Sequence, residues 1–243
     1  GSEFIENNGE DRKRQEGMNA EEIKQDCETK AFFRLAERIK KRFPRLPILL
    51  LADSLYASKQ VMELCREYKW EFLIRYKKGS IPSIAEEYEK IPEKGKTEKA
   101  EFVNEIDYEG KPVHVLRYRE EKEGEITEFQ WLCSIKISKE NAEKMAEAGR
   151  KRWKIENEGF NRQKNWQGDI THACSWNDQS QKNHYLMEQI SDFMKQLYEY
   201  YYLKKNGIEK KQKNISSDLL ASFGRQLTKE DIFPVDEYTQ SCN

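Results

Sequence analysis

The sequence predicts an α/β fold, with a small antiparallel β module inserted into the core and helices towards the C-terminus. Three observations predict it. Asn19–Tyr76 runs helix, strand, helix, strand, the rhythm of βαβ units with parallel strands. Pro47–Ala52 (PILLLA) is an unbroken apolar run, the pattern of a strand covered on both faces. From Lys99 to Ile137 the pattern changes to three β-rich segments separated by short turns. The expected segments are 1–78 (first part of the core), 79–137 (β-rich insertion), 138–206 (second part of the core) and 207–243 (tail).

In chain order, residues 1–17 are polar and read as loop. Asn19–Arg42 carries Ile23, Cys27, Ala31, Leu35, Ile39 and Phe43 at steps of four, the stripe of a buried helix face. Asn19 is the expected N-cap, and Pro44 stops the helix. Asp53 and Ser54 end the apolar strand. Leu55–Tyr68 returns to helical period, and WEFLIRY (Trp70–Tyr76) is the second strand. Ser80–Ile91 reads as a short helix. The strands Lys99–Tyr108, Pro112–Glu120 and Ile126–Ile137 are joined by Glu109-Gly110 and by Lys122–Glu125, both hairpin-type turns. A long helix spans Ser138–Asn165. Another spans Gln179–Lys204, with Tyr185, Leu186, Ile190, Phe193, Met194 and Leu197 along an apolar side. A last short helix lies near Ser216–Leu227.

Composition narrows the function classes. The 243 residues carry 43 Lys and Arg against 44 Asp and Glu, so any nucleic-acid surface must come from local clustering of bases. Five dispersed Cys, with no short paired spacing, indicate neither a zinc site nor a disulfide framework and fit a reducing cytoplasm. No apolar run reaches membrane-spanning length.

The chemistry concentrates in two stretches. Arg150–Trp166 gathers Arg150, Lys151, Arg152, Lys154, Arg162 and Lys164 around Glu156 and Glu158, with Trp153, Ile155 and Phe160 spaced to face a core. Arg152 and Glu156 are four apart, so a helix places them on one face. The other stretch is the end of the apolar strand, Asp53. In parallel sheets ligands collect beyond the carboxyl ends of strands. Carboxylates brought together there suit Mg²⁺, a hard ion that prefers oxygen ligands, and a pair of such ions serves phosphodiester chemistry. Each residue also has a plainer reading. Asp53 can cap the helix that follows it, and Arg152–Glu156 can be an ordinary ion pair. Glu158 reads as a surface partner of Arg162, Trp153 as core and His114 as a strand surface residue. His172 and Cys174 lack further ligands for a metal.

QDCETKAFFRLAERIKKRFPRLPILLLADSLYAS, with RWKIENEGFNRQKN further on, resembles the catalytic domain of insertion-sequence transposases. These are DDE enzymes of the insertion-sequence-four type with a ribonuclease-H-like core. The resemblance spans roughly residues 2–204. It implies that Asp53 is the second catalytic Asp and Glu156 the catalytic Glu, both binding Mg²⁺ or Mn²⁺. It implies that Arg152, Lys164 and Arg162 contact double-stranded DNA, and that the protein acts as a homodimer on paired transposon ends. The family signature is Tyr, two residues, Arg, three residues, Glu, six residues, Lys. Here Gly149 stands at the Tyr position, and Lys164 comes one residue late. No strand bearing the first Asp precedes Asn19–Arg42; Asp11 lies in the polar leader and Asp26 on a helix. The chain is therefore expected to be a C-terminal piece, inactive alone and with a two-metal site that is incomplete. The alternative is a DNA-binding or assembly fragment without catalysis.

Overall fold

Six strands form one mixed sheet in the order β1-β2-β6-β5-β4-β3. They are β1 Leu49–Ala52, β2 Glu71–Arg75, β3 Gly95–Lys96, β4 Ala100–Tyr108, β5 Lys111–Lys122 and β6 Glu125–Cys133. The computed structural model of the chain describes residues 3–5, 20–77, 79–122, 124–167, 170, 175 and 177–223. The chain divides into two units, Gly1–Glu156 and Asn157–Asn243.

In the first unit, α1 (Ala20–Arg42), α2 (Lys59–Tyr68) and α3 (Pro82–Lys90) are interleaved with the strands. The expected N-cap Asn19, like Asp11, lies outside the described residues. β1 and β2 pair in parallel, as the α/β rhythm predicts, with Leu49 opposite Glu71 and Ala52 opposite Ile74. One face of the sheet buries Phe72, Ile74, Val113, Val115 and Leu132 under Val61, Met62 and Cys65 of α2 and Ile84 of α3. Ala36 of α1 joins this core, with Phe32, Phe33 and Ile39 packed partly against it. The predicted stripe of α1 is thus corrected at its end, since Phe43 is 49% exposed, past the last residue of the helix. The other face buries Leu73, Leu116, Trp131 and Cys133 under Met145 and Ala146 of α4 (Ala142–Arg150).

β1 is the outer strand of the sheet, with Leu49 exposed, and it packs on both faces as expected, Leu50 and Ala52 against one core and Leu51 against the other. One expectation about the strands needs correcting. The three antiparallel strands do not make a separate small sheet. β6 pairs with β2 through Leu73–Cys133, Ile74–Leu132 and Arg75–Trp131, so the insertion extends the core sheet. Backbone hydrogen bonding along β2 explains this, because a strand whose second edge stayed unpaired would bury unmatched amides and carbonyls. The turn at Glu109-Gly110 has φ of 56° and 75°, positive at both central residues, the hairpin geometry whose twist matches paired strands.

The predicted long helix from Ser138 is interrupted. α4 ends at Arg150, one turn comes next at Arg152–Lys154, and Ile155–Phe160 and Gln163–Gln167 are wound as π-helix. Trp153, Ile155 and Phe160, expected to face a core, are exposed. The reason is that the α4 stripe buried on the sheet (Ala142, Met145, Ala146, Gly149) ends over Trp131. π-winding then shifts the angular register of the residues beyond Lys154.

In the second unit, α5 (Asp178–Leu197) is capped by Asn177, whose side chain accepts from the Ser180 amide at 3.0 Å, and continues as π-helix over Tyr198–Lys204. α6 (Gln212–Phe223) comes after it. The side chains of Asp192 and Lys195 are buried here, and Lys195 donates to Ser216 at 2.7 Å. The predicted apolar side of α5 is present in sequence, but Ile190, Phe193 and Met194 are exposed.

Candidate active site

Asp53 follows β1 with extended backbone (φ −84°, ψ −178°), so the strand's alternation continues through it. Leu51 packs into the α4 side of the sheet and Ala52 into the other. Asp53 shares the parity of Leu51 and therefore the α4 side. Its carboxylate accepts from the Leu55 amide at 2.9 Å and caps the short 3₁₀ turn Ser54–Tyr56. The capping role is thus present. An ionised carboxylate has about four lone-pair sites, so one such bond leaves room for further ligation.

Parallel pairing puts Ala52 opposite Ile74, so Asp53 comes level with Arg75, the last residue of β2. Arg75 shares the parity of Leu73 and lies on the α4 side too. Its guanidinium sits over Phe129 (4.7 Å to the ring centre) and Trp131 (5.5 Å) and donates to the Glu128 carbonyl at 3.2 Å. Arg150, at the end of α4, lies over the same Phe129 ring at 4.1 Å and pairs with Glu120 at 3.0 Å. Burial first, then repulsion from Arg150 and Arg152, makes the protonated form of Arg75 less favourable than that of an ordinary Arg. Arg152 donates to Glu156 at 2.8 Å, the predicted i,i+4 pair. Asp53 and Arg75 thus stand level at the carboxyl end of the β1–β2 pair, and Arg150, Arg152 and Glu156 belong to the same unit.

No hydrogen bond or ion pair joins Asp53 to Glu156 among the described residues. Nor do three His, Cys, Asp or Glu side chains there form a group able to hold a metal ion. The donor chemistry of the two carboxylates suits a hard divalent ion; their number falls short of the roughly three that a two-metal site takes.

Gly149 explains its own departure from the signature. A Cβ built there would lie 2.5 Å from the Trp131 indole, so a Tyr has no room. Arg162 and Lys164 belong to the second unit. Arg162 pairs with buried Asp192 at 3.2 Å and with Glu199 at 3.4 Å. Lys164 is exposed. His114 is not a surface residue. It is 6% exposed, its Nδ1 accepts from the Glu105 amide at 3.1 Å, and burial pulls its pKa below the usual value. His172 and Cys174 lie outside the described residues. Cys65 and Cys133 are buried free thiols, Cys65 pushed by burial to about 11. Arg75, the last base of WEFLIRY, had no role in the sequence reading, and its level with Asp53 comes from the strand register.

The fold and site define a class: a mixed α/β domain with an acid, Asp53, where two parallel strands end, the usual ligand position in such sheets. The Transposase DDE domain family matches residues 25–187, more than half of the sequence, and the chain belongs to that family. The class acts on DNA in transposition and uses divalent metal ions. No curated protein and no solved structure matches the chain. Among the described residues, no helix is long and apolar enough to cross a membrane.

Proposed function

We propose that the chain is part of a cytoplasmic DDE transposase of the insertion-sequence-four type, with a ribonuclease-H-like core. It cleaves DNA strands at transposon ends and transfers them to target DNA as a homodimer. Asp53 and Glu156 are the second and third catalytic acids. What supports this reading is Asp53 at the carboxyl end of β1, in a parallel pair with β2, together with Glu156 held by Arg152 four residues before it. Asp53 and Glu156 would hold Mg²⁺ or Mn²⁺, whose chemistry would be activation of the attacking oxygen and charge neutralisation at the leaving one. Arg152 orients Glu156 and binds a strand phosphate, and exposed Lys164 adds a second phosphate contact. Arg162, a third candidate for such contact, directs its guanidinium to Asp192 and Glu199, which favours a packing role.

The first acid lies on a strand outside this chain, added beside β1. The outer edge of β1 has no strand partner among the described residues, which supports that position. The isolated chain is then inactive. In the full-length transposase, Asp53→Ala and Glu156→Ala should each lower strand cleavage by more than about a hundredfold while DNA binding persists. Cleavage retained in either variant would refute the assigned roles. A second reading, a DNA-binding or assembly fragment without catalysis, is favoured by the lack of a three-acid group among the described residues. It predicts that cleavage by the full-length protein is indifferent to Asp53.

A further inference from the structure

α5 is amphipathic in the reverse sense for a lone copy of this chain. Its polar face points into the second unit. Asp192 accepts from Arg162 and Gln196, Lys195 donates to Ser216 of α6, and Gln189 accepts from Gln163 at 3.1 Å. Asp192 and Lys195 are buried there, and Glu188 lies on the same side of the helix with little of its side chain exposed. The opposite face carries Leu186, Met187, Ile190, Phe193, Met194 and Leu197, each between 40% and 64% exposed. A surface helix of a monomer turns its apolar stripe inward, and a contiguous exposed apolar patch marks an interaction site.

Leu186, Ile190, Phe193 and Leu197 follow one another at steps of four, three and four, the spacing of a seam between two helices. The steps are the same in both directions and Leu stands at each end, so the stripe is complementary to an antiparallel copy of itself. Leu186 then meets the partner's Leu197, and Ile190 meets the partner's Phe193, an isologous contact closed by a two-fold axis. No charge on the seam has to be desolvated: Met187, Met194, Gln189 and Gln196 flank it, as suits the core of a homodimer interface. The six apolar residues expose roughly 650 Å² per copy, so two copies would bury roughly 1,300 Å², within the range of specific interfaces. We propose that α5 is the dimer interface of this chain, its apolar stripe packed antiparallel against α5 of a second copy. This rests on the homodimer proposed above and assigns the surface that forms it.

The test is analytical ultracentrifugation of the full chain. The wild-type chain should sediment as a dimer at about 10 μM, as an interface of this size allows. Ile190→Glu and Phe193→Lys each place two charges in the seam of one dimer, and each should raise the dimer dissociation constant by more than about a hundredfold. Both variants should keep the wild-type helix content in circular dichroism, because the replaced side chains are exposed in a single copy. An equimolar mixture of the two should recover dimer, since antiparallel pairing sets the introduced carboxylate opposite the introduced ammonium. Should either variant fail to fold, Leu186→Gln and Leu197→Gln at the ends of the stripe take its place. A monomeric wild-type chain overturns the inference and leaves the roles of Asp53 and Glu156 standing. A dimer that survives the substitutions overturns this interface and leaves the homodimer standing. Monomeric variants that do not pair in the mixture overturn the antiparallel arrangement.

Discussion

At the scale of single residues, environment decides role more than identity does. Gly149 is buried where α4 meets Trp131, and its missing side chain allows the close approach. Gly149→Ala should destabilise the protein by about 1–3 kcal/mol, seen as a lower denaturant midpoint, because an added methyl must displace an indole that also stacks on Phe129. His114 makes the same point through protonation. Its folded pKa lies below the ordinary 6.5, mainly from burial. Below pH 6.5 the unfolded chain takes up a proton that the folded chain resists, so stability should fall with pH from about 6.5 down towards the folded pKa. Glu105 and Lys136 act on the same imidazole in opposite senses and leave the sign to burial. Unfolding free energies measured across that range should lose part of this slope in His114→Asn, whose oxygen can replace Nδ1 as acceptor. None of this was legible in the sequence, where His114 looked like one polar position on an alternating strand.

At the scale of elements, the readings with a strong local cause held. Glu109-Gly110 reads as a hairpin turn, and both residues have positive φ. Glu109 carries a side chain ill suited to that region, and its ion pair with Lys59 is solvent-exposed. Glu109→Asn should therefore raise the melting temperature, since Asn tolerates the left-handed conformation and the lost pair contributes little. The helix read from Ser138 to Asn165 shows the opposite case. Composition favours helix throughout, yet the winding changes to π after Lys154. Propensity scales reward α-helical residues and cannot register how hydrogen bonds close, which here sets the angular positions of Trp153, Ile155 and Phe160.

At the scale of the whole molecule, one mixed sheet extends from β1 to β3, and Asp53 follows its outer strand. An acid set short of one member should bind DNA without cutting it. In a gel-shift and nicking assay with Mg²⁺ present, the isolated chain should retard duplex DNA and leave it intact. Nicking by the isolated chain would show that it holds a complete set.

By itself the sequence determined the α/β class, the order of the strands and the Arg152–Glu156 pair. Each of these depends on period, turn chemistry or spacing along a few residues. Only the tertiary structure decided that the β insertion joins the core sheet, that Gly149 has no room for a side chain, and that His114 is buried. Those facts depend on what a side chain meets across the sheet, and neighbours brought together by pairing and packing leave no mark in local sequence.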